Sequence, residues 1–413
     1  MVIVGGGASG LSCAVTAARL GVSTTVLERT SRCGSKLAVT GGSRCNLTHA
    51  DTARHMAAKF DCKPGLLMPL FRKFTYRRIA EFFASIGVTC QADHQGCIWP
   101  RKLGARQLRD MLVQAALASG VDIRTGCRVH RVSREAELWH VGTERGHHGA
   151  HAVCIATGGA SYAGTGSSGD GLALSSALGL ATAGWFPALC SLEPRQPVGE
   201  LAGITHRSAA MTLSVDGRPV RKAAGRFIFA HRYVSGSEVL NLSGHAARAL
   251  QQGQKVRLAV DWAPSLGRDG LAERISLGRE RNGRRLAASW LTVFVARRLA
   301  NRLVADAGVP ADRRMAQLTE ADLEALVRVL KTTVFDIVGT EPIERATVTG
   351  GGVSLNEVDI STCEVRRLPR LHIAGELLDT WAETGGYNLH FAWATGIAAG
   401  EAVARNLTSD RNL

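Results

Sequence analysis

Apolar runs of membrane-spanning length, closely spaced cysteines and long basic blocks are all missing from this chain of 413 residues. No stretch of eighteen uninterrupted apolar residues occurs, which argues against a membrane-spanning helix and hence against a membrane partner. The ten cysteines include no C-x-x-C pair and no regular spacing, so neither a zinc site nor a disulfide framework is expected, and most read as buried small hydrophobes. Lysine is scarce and stands only at positions 36, 59, 63, 73, 102, 222, 255 and 331; the net charge of +15 is therefore carried by arginine. Such a charge permits nucleic-acid or acidic-ligand binding, but the basic residues are spread through the chain and no Lys/Arg block marks a dedicated footprint. The N-terminus has glycines where an export signal needs a basic segment followed by an apolar block, which leads us to expect a cytoplasmic protein. A hydrophobic fraction of 45% with mean hydropathy +0.02 indicates a soluble globular chain, long enough for two domains or one domain with a large insert.

What is present begins at once. The apolar run Val2-Ile3-Val4 meets Gly5-Gly6-Gly7-Ala8-Ser9-Gly10, a small-residue helix pattern follows to Leu20, and Thr25-Val26-Leu27 delivers Glu28. In the G-x-G-x-x-G spacing the glycines have separate duties. Gly5 makes the tight turn, Gly7 lets the backbone approach a pyrophosphate, and Gly10 lets helix pack on strand. Free N–H groups at the helix start favour anions, and a carboxylate about twenty residues on can accept both ribose hydroxyl protons. Strand, turn, helix, strand and acid together read as a dinucleotide grip.

A second set of glycine turns is spread along the chain. After Glu28 and Arg29 comes a loop with Lys36 and Gly41-Gly42-Ser43-Arg44-Cys45-Asn46, dense enough in glycine to bring backbone close to a ligand. Helical spacing is read from Pro69 to Ile86, a hairpin around His94-Gln95-Gly96, a helix over Arg106 to Ser119, strands near Val121-Ile123 and Arg128-Val132, and a further hairpin through Leu138-Val141 and Ala150-Ile155. That last strand runs into Ala156-Thr157-Gly158-Gly159, at the strand end where ligands of open α/β sheets sit. Gly164 to Gly169 also spells G-x-G-x-x-G, but without a preceding strand or a following acid it reads as a flexible loop over the same ligand. From about residue 188 alternating segments, among them Val239-Leu240-Asn241-Leu242, indicate an antiparallel β module, followed by helices over Leu286 to Ala307 and from Thr319 to Leu330. The glycine-rich style returns with Thr349-Gly350-Gly351-Gly352, a strand ending in Gly375-Glu376, and Gly385-Gly386-Tyr387-Asn388 before a small-residue helix.

These pieces, in order, resemble the two-dinucleotide-binding-domain flavoproteins, and within them the bacterial FAD-binding aminoacetone oxidase or BaiN-like family. The most specific matches are Gly41-Gly42-Ser43-Arg44-Cys45-Asn46 and Gly385-Gly386-Tyr387-Asn388. The resemblance implies an α/β fold: a Rossmann-like FAD-binding domain formed by both termini, residues 1–187 and 341–413, with an inserted β-barrel-like plus helical domain at 188–340, its β module about 188–265 and its helical part about 266–340. It also implies one extended FAD, with pyrophosphate at Gly5, Gly7, Ala8, Ser9 and Gly10, and ribose at Glu28 beside Arg29. Lys36 would face a phosphate or ribose, and backbone at Val129 would meet the adenine. The flavin would lie against Gly41, Gly42, Arg44, Cys45 and Asn46, near Ala156, Thr157 and Gly158, with Gly375 and Glu376 at the ribityl and phosphate portion and Gly385, Gly386, Tyr387 and Asn388 at the ring. The family's insert carries Thr-His-x-Gly-x-Ser-Gly-Pro, whereas this chain has Ala230-His231-Arg232-Tyr233-Val234-Ser235-Gly236-Ser237, a departure at the part that shapes the substrate cavity.

An FAD enzyme places substrate over the ring and tunes its charge. The helix starting near Asn388 is the candidate stabiliser of reduced flavin. Cys45 reads as a redox partner or as a neutral contact; His231 and His390 read as acid–base candidates or as structural histidines. Arg101, Lys102 and Arg232 read as carboxylate binders or as solvated surface. No second Rossmann unit is recognisable, so NAD(P)H, if it reduces the flavin, visits transiently; otherwise a different donor acts, or substrate is oxidised with oxygen as acceptor. The expected protein is an FAD-dependent oxidoreductase whose partner is a small organic molecule; the alternative is a flavoprotein that binds or modifies RNA.

Overall fold

The computed structural model describes residues 1–409. It divides into two compact units, Met1–Phe186 together with the chain from Ile343 onward, and Pro187–Pro342.

The first unit is built on a seven-stranded sheet. Its spatial order is Val358–Asp359, Glu364–Val365, Leu371–Ile373, Val153–Ile155, Val2–Val4, Thr25–Leu27 and Asp122–Arg124. The five strands from Leu371–Ile373 to Asp122–Arg124 run parallel, with Val2 level with both Val153 and Thr25. Val2, Ile3 and Val4 are all buried, as expected for strands covered on both faces. Parallel strands present their C-terminal ends at one edge, so the turns after Val4, Leu27, Ile155 and Ile373 gather there.

Both termini meet on this sheet because two helices pack at backbone distance. Helix Ala8–Arg19 lies against the C-terminal helix Tyr387–Ser409. A methyl at Gly396 would overlap Ser9 O and Ser12 Oγ, and one at Gly400 would lie 2.8 Å from Cys13 O. Small residues here thus fix the approach of the helices.

Elsewhere in the unit the structure departs from the sequence pattern. The apolar pattern over Pro69–Ile86 is two helices, Pro64–Lys73 and Tyr76–Ala84, because Phe74 leaves helical geometry and Thr75 caps the second by accepting from Arg78 N. Ala150 and Val153–Ile155 do not share a strand. Gly146–Ala150 completes an antiparallel meander with Val129–Glu135 and Leu138–Thr143, and Val153–Ile155 enters the central sheet.

The second unit holds a closed six-stranded barrel, in the order Leu192–Pro194, Val234–Ser235, Arg218–Phe229, Thr205–Val215, Val256–Asp261 and Thr333–Thr340. Phe227, Phe229, Trp262 and Phe335 pack inside with ring centroids 5.0–6.3 Å apart. Two differences from the sequence reading matter. Val239-Leu240-Asn241-Leu242 belongs to helix Ser237–Gln251, whose buried Val239, Leu242, Ala246 and Ala249 recur at helical spacing; a four-residue stretch with three apolar residues could not separate the two periods. The last barrel strand, Thr333–Thr340, follows the helices, so the unit is not β followed by α. The pattern over Leu286–Ala307 splits into Ala287–Leu291 and Arg297–Asp306, whereas helix Glu320–Lys331 starts where the sequence pattern put it, at a capping box between Thr319 and Asp322.

Candidate functional site

The opening turn does what its spacing asks. Gly5 has φ +104°, and a Cβ there would sit 2.6 Å from Ala156 O. At Gly10 a Cβ would collide with Gly5 O, so only glycine lets the helix start this close to the strand. A Cβ at Gly7 would meet nothing within 4 Å, although Gly7 caps helix Ala8–Arg19. The helix start has no side-chain cap and no acid in its first turn, so the protein places no side-chain charge of its own against the N-terminal end of the dipole.

Glu28 sits at the end of the second strand. Its Oε2 accepts from Gly6 N at 2.8 Å and its Oε1 from Thr30 N at 2.7 Å, which fixes the carboxylate beside the glycine turn. Cys127 N donates to Glu28 O at 2.8 Å, bringing buried Val129 to the same edge. Arg29 reaches Gly166 O at 2.9 Å, so the Gly164–Gly169 loop is tied to this end of the sheet.

The third and fourth turns are joined by charge. Glu376 accepts from Lys36 Nζ at 2.8 Å, from Thr349 N at 2.8 Å and from Ser161 Oγ at 3.3 Å. Burial pushes its carboxyl up, but Lys36 and the backbone N–H donors outweigh that and hold its pKa below the ordinary carboxylate value. Lys36 is engaged within the protein, to Glu376 and to Ser161 Oγ at 2.6 Å. Gly158, with φ +71°, lies beside this pair, and Gly375 N donates to Thr395 Oγ1 at 2.9 Å. Ala156 ends the neighbouring strand and Thr157 packs against Gly171.

The loop Gly41–Asn46 is the most contorted segment of the unit. Gly41, Gly42, Ser43 and Cys45 all have positive φ, +54°, +61°, +70° and +59°. Non-glycine residues held there cost energy that the surroundings must offset. The Arg44 guanidinium stacks 4.3 Å above the Trp99 ring. Cys45 is fully buried and burial pushes its thiol up to about 12, which disfavours a thiolate and so favours the neutral-contact reading over the redox one. Asn46 is 9% exposed, and its Oδ1 has no hydrogen-bond partner. A Cβ at Gly386 would lie 2.7 Å from that oxygen, so the orphan acceptor and the Gly385–Asn388 turn face each other.

At that turn Gly385 and Gly386 have φ +129° and +92°. Tyr387 Oη donates to Asp51 Oδ2 at 2.7 Å, and the Tyr387 ring stacks on His49 at 5.2 Å. Asn388 spends its amide on Ala382, accepting from its N at 2.9 Å and donating to its O at 3.0 Å. Its side chain is structural; what the turn presents is backbone and the start of the C-terminal helix. His390 is also structural. Nε2 donates to Phe74 O at 2.9 Å, which leaves Nδ1 to accept from Thr48 Oγ1 at 2.7 Å. Burial lowers its pKa to about 4, so with both nitrogens committed it is no acid–base catalyst. His231 and Arg232 lie in the second unit, where His231 is exposed and Arg232 pairs with Glu193 at 2.8 Å; Arg101 and Lys102 are exposed in the first.

Sequence reasoning missed Thr349, Asp51 and the close approaches at Gly396 and Gly400. Thr349 Oγ1 accepts from both Ala160 N and Ser161 N at 2.9 Å and so holds the Ala156–Ser161 turn. A threonine beside three glycines was the only signal. Asp51 has His49 and His55 beside its carboxylate, at 2.9 and 3.6 Å, but its link to the Gly385–Asn388 turn runs through Tyr387, which is distant in sequence.

The residues fit an extended FAD. An uncapped helix start behind a glycine with open space, an anchored carboxylate at the next strand end, and a buried acceptor without a partner are what such a dinucleotide uses.

A parallel sheet with this glycine turn and acid, together with a barrel unit inserted in the chain, defines an FAD-dependent oxidoreductase. The model of the HI0933-like protein Rossmann domain matches residues 1–402, and the chain belongs to that family. Among its relatives, the 3-dehydro-bile acid delta(4,6)-reductase of Clostridium scindens is 31% identical over 97% of this chain and 98% of its own length. The ribosomal RNA dihydrouridine synthase of Escherichia coli is 28% identical over 97% of this chain and 96% of its own. The 3-ketosteroid delta1-dehydrogenase of Sterolibacterium denitrificans shares the fold, at TM-score 0.52 and 12% identity over 98% of this chain and 99% of that one. No helix among the described residues is long and apolar enough to cross a membrane.

Proposed function

We propose that this protein is an FAD-dependent reductase that saturates a carbon–carbon double bond conjugated to a carbonyl in a small organic molecule, with NAD(P)H as transient reductant. The observation that carries the reading is the full-length match to the Clostridium scindens reductase at 31% identity, taken with a first unit whose turns suit FAD. A delta(4,6)-reductase saturates double bonds, and a dihydrouridine is a uridine with its ring double bond reduced. In both the bond is conjugated to a carbonyl, so the two relatives' names describe one reaction class on different molecules.

Reduced by NAD(P)H, FAD held here would supply the hydride for the carbon β to the carbonyl, and the α carbon would take a proton from solvent. The N–H groups at the start of helix Ala8–Arg19, with Gly5 and Gly7, would hold the pyrophosphate, and Glu28 the ribose. Asn46 Oδ1 would accept from an N–H on the flavin edge, ending its isolation. The first turn of the C-terminal helix would stabilise negative charge on the reduced ring. Lys36 and Glu376 hold together the loops that form this cradle. All ten cysteines are free, which suits a reducing cytoplasm, where we place the reaction.

Anaerobic mixing with NADH and with NADPH tests the reading: bleaching of the flavin supports it, and a flavin that neither reduces refutes transient nicotinamide reduction. An oxidase, the other activity implied by the resemblance, would instead be bleached by its amine substrate and reoxidised by dioxygen. The RNA reading is favoured by the +15 charge and by the Escherichia coli relative. It predicts salt-dependent binding to RNA, and no binding at low salt would exclude it.

A further inference from the structure

Arginines scattered in sequence are assembled on one surface of the barrel-containing unit. Helix Arg268–Arg281 ends at Arg281, and residues 283–287 then run antiparallel to residues 313–316. The two segments are zipped by Ala287 N to Arg313 O at 2.9 Å, Met315 N to Arg285 O at 2.8 Å and Ala316 N to Gly283 O at 3.1 Å, with Leu286 opposite Arg314. Ala287 and Met315 are buried, whereas Arg284, Leu286 and Arg314 are exposed. Arg284 and Arg285 thus meet Arg313 and Arg314, with Arg281 just upstream.

None of these five guanidinium groups has a carboxylate partner among the described residues, and all but half-buried Arg313 are exposed. Arg314 and Arg285 donate to the carbonyls of Arg284 and Ser289, at 2.7 and 2.9 Å, which orders them without neutralising them. Nearby arginines that serve the fold are compensated: Arg279 pairs with Glu320 at 2.8 Å, and Arg302 with Glu200 and Asp306 at 2.9 Å. Like charges gathered this way repel, and a bound polyanion relieves that cost.

We propose that this arginine platform binds the phosphodiester backbone of RNA. Guanidinium forks match phosphate oxygens, and exposed Leu286 between the arginines offers an apolar contact to a base face. The inference deepens the RNA reading above and concerns the second unit's own surface.

The test uses the holoprotein and a short fluorescein-labelled single-stranded RNA, with affinity followed by anisotropy across a salt series. R281A/R284A/R313A removes three side chains that make no hydrogen bond among the described residues. A control, R72A/R106A/R131A, removes three exposed arginines of the first unit. The platform variant is expected to lower the slope of log affinity against log salt by about 2, at about 0.7 for each phosphate no longer neutralised on a single strand. The control should keep the parent slope. Equal losses in both variants, an unchanged slope in the platform variant, or no binding by the parent protein overturns the proposal. Flavin bleaching by NAD(P)H, recorded on the same samples, reports separately on the reductase reading.

Discussion

Lys36 Nζ lies 2.8 Å from Glu376 Oε2, an ion pair that spans 340 residues of sequence and ties the loop after the second strand to the turn after Ile373. Both side chains are only about a quarter exposed, so removing one leaves the other poorly solvated. Glu376→Gln is expected to destabilise the protein by about 3 kcal/mol, the low end for breaking a buried pair. The carboxyl pKa is held below 4.5 in the folded state, so its contribution is complete above about pH 5 and is lost as pH falls through the depressed value. Thermal unfolding of parent and variant from pH 7 down to pH 3 should show melting temperatures that converge at the acid end.

The glycines of the opening turn separate into two kinds. Gly7→Ala puts a methyl into open space at a helix cap and should cost the flavin-free protein less than about 1 kcal/mol. It should nevertheless weaken FAD binding at least about tenfold, since the methyl stands where the pyrophosphate approaches. Gly10→Ala instead drives a methyl into Gly5 O and should cost about 3 kcal/mol in flavin-free protein. Denaturant unfolding of the flavin-free forms, followed by FAD titration, checks both.

His390 makes a stability prediction and an activity prediction of opposite kinds. Its folded pKa of about 4 lies below its ordinary 6.5, so its contribution to stability is present above pH 6.5 and lost as pH falls to 4. His390→Gln should flatten the stability profile over that interval and cost about 1–3 kcal/mol at neutral pH through the lost bonds to Phe74 and Thr48. The pH profile of flavin reduction should not move, because no proton passes through this ring.

Cys45, with a thiol near 12, should resist iodoacetamide at pH 8 in the folded protein and react once denaturant exposes it. Peptide mass mapping reads the difference. Cys45→Ala should reduce and reoxidise at the parent rate.

The grip was legible because its signals are local: three glycines with distinct steric duties, a strand on each side and an acid at fixed spacing. The barrel unit was partly legible. Its long hairpin, Thr205–Val215 with Arg218–Phe229, announces itself by alternation and the Asp216-Gly217 turn, but closure by Thr333–Thr340 depends on a strand that returns after five helices have intervened. Val239–Leu242 misled because a stretch this short, with three apolar residues, fits either period. Roles decided by distant partners were the least legible: a phenylalanine carbonyl and a threonine turn His390 from candidate catalyst to structural side chain, and Ala382 does the same to Asn388.

The central claim is reduction of a double bond conjugated to a carbonyl, and the oxidative half-reaction tests it most directly. Photoreduced holoprotein is mixed anaerobically with a 3-oxo-4,6-diene steroid and, separately, with uridine-containing ribosomal RNA, while the flavin spectrum and product mass are followed. The account predicts that the steroid reoxidises the flavin and gains two hydrogens, whereas reoxidation by the RNA alone would favour the RNA reading. Flavin that stays reduced with both and reoxidises only on admission of dioxygen would contradict it.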